Sequence, residues 1–146
     1  MSICSVCTWA QAGLNINDIF EGKVVSRKFM NESIIQGESL KAYSLDVLRT
    51  VKFTATEKER DEVERLFMLD IEPFMHGTTD NIELEKREEH LYYAIVQIAN
   101  AKKGDEEKNK YICYQCRKNA KMFDITVVYM KGEATMLQLR DTFRKK

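Results

Sequence analysis

Four cysteines, grouped as two Cys-x-x-Cys pairs, bracket nearly the whole chain. Cys4 and Cys7 stand near one end, Cys113 and Cys116 near the other, and no other cysteine occurs in the 146 residues. Four thiolates so paired complete the tetrahedral shell of a structural Zn2+ ion. The 105 residues between Cys7 and Cys113 would then lie in one metal-closed loop. Closing it costs roughly 4 to 5 kcal/mol of chain entropy, whereas structural zinc supplies on the order of 10 to 16 kcal/mol. A filled shell leaves no position for water or substrate, so the expected role is structural rather than catalytic. Redox dithiols and disulfides are the alternatives. The first needs a strand–helix setting that surrounds neither pair. The second fits poorly with few cysteines and with a start, Met1-Ser2-Ile3-Cys4, that has no charged-then-apolar leader.

This cysteine usage points to a reducing compartment, nuclear or alternatively cytoplasmic. A hydrophobic content of 44% supports one modest core. No apolar run approaches the roughly 20 residues of a membrane span, so no membrane partner is expected. Formal net charge is zero, which gives no electrostatic case for direct nucleic-acid contact. The charge is unevenly distributed: residues 55–90 carry twelve acidic and five basic side chains, residues 117–146 three and eight. Opposed solvated faces explain this, as does a protein partner docking at the acidic segment.

Local signals are clearest in the middle of the chain. Ile16, Ile19 and Phe20 are expected core contacts, and Val24-Val25 suggests a strand. Residues 40–51 are ambiguous between strand and helix. Thr56-Glu57-Lys58-Glu59 is a capping box. It predicts a helix with Val63, Leu66, Phe67 and Ile71 on one stripe, ending before Pro73. A second start signal at Asp80 predicts another helix through Leu91, Ile95 and Ile98, stopping at Gly104.

Ala120, Phe123, Val127, Met130, Ala134 and Leu137 recur at alternating intervals of three and four, as in a heptad seam. Ile125, Val128, Met136 and Leu139 add a second apolar surface. A helix apolar on two sides meets either a second subunit on one side or the chain's own core through its seam, and the pattern favours neither. Gly132 weakens such a helix but permits close backbone approach.

Together these segments resemble the zinc-finger-associated domain of insect zinc-finger transcription factors. The likeness lies in Ile3-Cys4-Ser5-Val6-Cys7, in Asp18-Ile19-Phe20-Glu21, and in Tyr111-Ile112-Cys113-Tyr114-Gln115-Cys116 running into the final apolar segment. The resemblance implies zinc ligation by Cys4, Cys7, Cys113 and Cys116. It also implies homodimer contacts through Phe123, Val127, Met130, Ala134 and Leu137 on a long C-terminal helix. The expected fold is a single small zinc-stapled α+β domain over 1–146 with a treble-clef-like knuckle. Its core would be 1–27 and 90–146, and 28–89 an inserted acidic helical segment.

Catalytic signals are weak. His76 and His90 lack evident partners, the zinc deaminase signature is unmet, and no glycine-rich phosphate loop occurs. The expectation is a non-enzymatic zinc-binding protein–protein interaction module, acting as the homodimerisation unit of a transcriptional or chromatin regulator. A monomeric zinc-stapled adaptor, viral or regulatory, and a dithiol oxidoreductase are the alternatives.

Overall fold

Runs of β-branched and aromatic residues, such as Tyr92-Tyr93-Ala94-Ile95-Val96 and Ile125-Thr126-Val127-Val128-Tyr129, set the architecture. A computed structural model describes residues 13–75, 81–99 and 108–144. Six strands form one antiparallel sheet: β1 (Asn31–Gln36), β2 (Leu45–Ala55), β3 (Ile82–Arg87), β4 (His90–Ala99), β5 (Asn109–Asn119) and β6 (Met122–Gly132). Their spatial order is β1-β2-β6-β5-β4-β3. Among the described residues three α-helices accompany them: α1 (Asn17–Phe20), α2 (Glu57–Ile71) and α3 (Met136–Arg144). Two-residue hairpin loops join β3 to β4 and β5 to β6. In the first, Glu88 and Glu89 both take positive φ, 54° and 67°, as the twist of the flanking strands requires.

The helix α2 starts where local chemistry dictates. The Glu59 backbone N–H donates to the Thr56 hydroxyl at 3.2 Å, and the Thr56 N–H donates to the Glu59 carboxylate at 2.9 Å. Pro73 lies in a short 3-10 turn, Glu72–Phe74, beyond the helix end. Val63, Leu66, Phe67 and Ile71 are buried, packing with Val51, Phe53, Tyr114, Ile125 and Val127 of the sheet. Ile16, Ile19 and Phe20 complete this layer. The buried Asp70 fastens it, accepting hydrogen bonds from the Asn15 N–H, the Asn15 side-chain amide and the Ile16 N–H at 2.7, 2.9 and 2.8 Å.

The opposite sheet face carries a second, smaller cluster. Ile95, Tyr111, Cys113, Val128 and Met130 pack with Leu40 of the 3-10 helix Gly37–Tyr43 and with Ala134, Met136 and Leu139 at the start of α3. The Tyr111 hydroxyl donates to the Ala134 carbonyl at 2.5 Å. Gly132 lies where β6 meets the start of β2. A Cβ there would stand 2.6 Å from both Leu45 Cα and the Ser44 carbonyl oxygen, so the close approach foreseen at this glycine is real but occurs in a strand.

This architecture corrects the expected fold. There is no zinc-stapled knuckle among the described residues, and the long C-terminal helix is replaced by β6 and the nine-residue α3. The segment 28–89 is no insertion: it supplies β1, β2, β3 and α2. The helix expected through Leu91, Ile95 and Ile98 is β4. The Val24-Val25 strand is instead a bend, and the ambiguous stretch 40–51 divides into 3-10 helix and strand. One physical cause underlies the two large errors. β4, β5 and β6 are central strands covered on both faces, so both residue parities are apolar. From such a run a three-and-four spaced subset can always be drawn, and it mimics a helical stripe.

Candidate functional site

The cysteine pair in β5 is split by strand geometry. Successive side chains alternate between faces, so residues three apart point oppositely. Cys113 therefore joins the cluster under α3, and Cys116 the cluster under α2. Cys113 and Cys116 do not converge on a common metal position, and Cys4 and Cys7 lie outside the described residues. Among the described residues no group of three or more His, Cys, Asp or Glu side chains is placed to hold a metal ion. Burial pushes both thiols up. At Cys116 the Tyr114 hydroxyl and the Arg60 guanidinium oppose that shift only in part. Both are therefore protonated at neutral pH and poor nucleophiles.

The proposed helical dimer seam is likewise dispersed. Phe123 and Val127 face α2, while Met130 faces the α3 side and Ala134 follows the strand. Val127, Met130 and Ala134 are fully buried within this chain, so they cannot line a subunit contact. Leu137 projects to solvent, 66% exposed on α3, and Ala120 is exposed in the β5–β6 hairpin loop.

Two other features stand out. The first is an imbalance between the sheet edges. On β3 the edge reads Ile82-Glu83-Leu84-Glu85-Lys86-Arg87, and its pairing with β4 shifts register between Glu85 and Lys86. Charges and a bulge are devices that stop a foreign strand from adding. On β1 the pairing with β2 runs unbroken from Asn31 to Gln36. Here Ile34 and Ile35 are 52% and 37% exposed. Glu32, the only charged residue of the strand, is already neutralised by Arg49 at 2.7 Å and Arg27 at 3.1 Å. On the α3 side, a cavity of about 430 Å³ adjoins this edge, lined by Ile35, Leu40, Tyr43, Leu48 and Leu139 among others.

The second feature is a polar cleft of about 450 Å³ where the start of α2 meets the β3–β4 and β5–β6 hairpins. Arg60 forms part of its lining, with a side chain only 7% exposed. Its Nε donates to Asp61 at 2.8 Å, and its guanidinium stacks 4.2 Å from the Phe123 ring centroid. His90 contacts the Glu64 carboxylate through Nδ1 at 3.0 Å, and Arg60 Nη2 lies 3.5 Å from its Nε2. A carboxylate only accepts, so Nδ1 is the ring nitrogen that donates to Glu64, while the 3.5 Å approach of Arg60 is at the outer limit of a hydrogen bond. The other Glu64 oxygen accepts from the Leu91 N–H at 3.2 Å. With Cys116 protonated, the trio His90, Glu64 and Cys116 is not an activated-nucleophile arrangement. His90 was expected in an acidic helix with no partner. Its partners lie 26 and 30 residues away across a sheet–helix contact, which no short-range pattern records.

Among the described residues the architecture is an antiparallel sheet layered by helices on both faces, with β1 as an uncovered edge and a polar cleft at Arg60. No described helix is long and apolar enough to cross a membrane. A family model described as "Family of unknown function (DUF6108)" matches residues 3–143, and the chain belongs to that family. This match, together with the six-stranded sheet, overturns the resemblance to the zinc-finger-associated domain, and the zinc and transcription roles taken from it lose their support. No curated protein and no solved structure matches the chain.

Proposed function

We infer that this domain is a non-enzymatic association module that pairs with a second copy of itself through the β1 edge. The observation that carries the reading is the contrast, among the described residues, between a guarded β3 edge and an open β1 edge with two exposed isoleucines. Edge pairing supplies main-chain hydrogen bonds, and neighbouring pockets receive alternate side chains. The cavity beside Ile35 is placed for that second role.

Strand chemistry favours a like copy. An antiparallel two-fold centred on Ile34 sets Ile34 against itself, Ser33 against Ile35 and Glu32 against Gln36. No like charges then oppose each other. Such a contact is isologous and closes at two subunits, whereas β1 joining the β3 of another copy would propagate into an open filament. The charges and bulge on β3 block that second mode.

Sedimentation equilibrium tests this reading. The expected species is twice the 17.1 kDa chain mass. Ile34→Lys places two ammonium groups face to face across the two-fold and should weaken association at least about tenfold, equivalent to about 1.4 kcal/mol. Its circular dichroism should match the parent, because Ile34 is largely exposed. A parent that stays monomeric at high micromolar concentration, or an unaltered dimer in the Ile34→Lys variant, overturns the proposal.

A further inference from the structure

Independently of any association, we propose that the cleft at Arg60 binds a small organic monocarboxylate. An arginine offers five N–H donors, and in Arg60 only Nε has a carboxylate within hydrogen-bonding distance, that of Asp61. The nearest alternative, Glu57, stands 4.0 Å from Nη2 and is exposed. Nη2 also approaches His90 at 3.5 Å, at the outer limit of a hydrogen bond, and the guanidinium borders the uncharged Cys116 thiol. The terminal edge of a buried guanidinium is therefore under-used on the wall of a cleft of ligand size. A planar carboxylate matches that edge with two parallel N–H···O bonds.

Charge decides between ligand classes. The lining groups include three cations, Arg60, Arg87 and Lys118, drawn from α2, β3 and β5. Arg60 and Arg87 are already paired, with Asp61 at 2.8 Å and Glu85 at 2.9 Å, and two further carboxylates, Glu57 and Glu88, stand among the lining groups. Lys118 is the lining cation outside any ion pair among the described residues, so one negative charge can be matched, whereas a phosphate or a polyanion would bring uncompensated charge against the two rim glutamates. Leu91 and Phe123 give the cleft an apolar wall, so a carboxylate with a hydrophobic skeleton is favoured over acetate.

Benzoate is the probe, with inorganic phosphate and benzamidine as dianionic and cationic controls, each titrated into 15N-labelled protein. Benzoate should saturate with a Kd of about 1 mM or tighter, shifting the Arg60 Nε–H and Leu91 amide resonances, and both controls should bind at least tenfold more weakly. Arg60→Lys keeps the charge and removes the fork, and should weaken benzoate about tenfold. If that variant fails to fold, the exposed Lys118→Glu should weaken it at least threefold. Absence of saturation at 10 mM benzoate in folded parent protein overturns the proposal. So does phosphate or benzamidine binding as tightly as benzoate, and so does unchanged benzoate affinity in every folded variant of this pair.

Discussion

Asp70 illustrates how one side chain ties distant segments together. Its two oxygens accept three N–H donors from Asn15 and Ile16, more than fifty residues earlier in sequence. Asp70→Ala would leave those donors facing a partly apolar layer. We expect a stability loss of about 3 kcal/mol, measured by urea unfolding, because charged hydrogen bonds and orphaned buried donors each carry costs of this order. A loss below 0.5 kcal/mol would mean that water replaces the carboxylate freely. Some of this residue-level detail was readable beforehand. Ile16, Ile19 and Phe20 were identified as core contacts from their spacing, and all three are buried. The Asp70 and His90 partnerships were not readable, because their partners are set by how α2 lies on the sheet.

Among the elements, α2 is the one whose limits were encoded locally. Its capping box closes within four residues and its stop follows from Pro73, so neither depends on the remainder of the fold. Thr56→Ala removes an acceptor for the first turn and should cost about 1 kcal/mol, with helix content otherwise intact. Thermal unfolding followed by circular dichroism reads this directly; an unchanged midpoint would show that the cap is redundant. β4 and β6 are the contrasting case. In β6, Ile125, Val127 and Tyr129 meet the α2 layer, and Val128 and Met130 meet the other. The second apolar surface seen on the supposed helix was the signature of this two-sided burial. Read with the β-branched run Ile125-Thr126-Val127-Val128, it argues for a central strand.

At the scale of the whole molecule, burial of ionisable groups on both sheet faces links stability to alkaline pH. Burial raises the thiols of Cys113 and Cys116 and the phenols of Tyr111 and Tyr114, Tyr111 to about 12. Each holds its proton more tightly folded than unfolded, so the stabilisation is complete below the unfolded pKa and is lost as pH rises towards the folded one. Unfolding free energy should therefore be flat from pH 7 to 8, then decline above the ordinary thiol value of about 8.5. Each group titrating only in the unfolded chain contributes a slope of about 1.4 kcal/mol per pH unit. Cys113→Ala should reduce the decline between pH 9 and 10 in urea titrations. Equal stability at pH 8 and pH 10.5 would contradict the burial of these groups.

By itself the sequence determined the helix α2, its two ends, its buried stripe, and the hydrophobic contacts that precede it. Those features rest on hydrogen bonds and spacings within a few residues, so they survive without knowledge of neighbours. Only tertiary structure decided that 90–99, 109–119 and 122–132 are strands, that Cys113 and Cys116 turn their backs on each other, and that Arg60 meets His90 in a cleft. Each of these depends on pairing between distant segments and on which faces become covered, and a linear pattern leaves both undetermined.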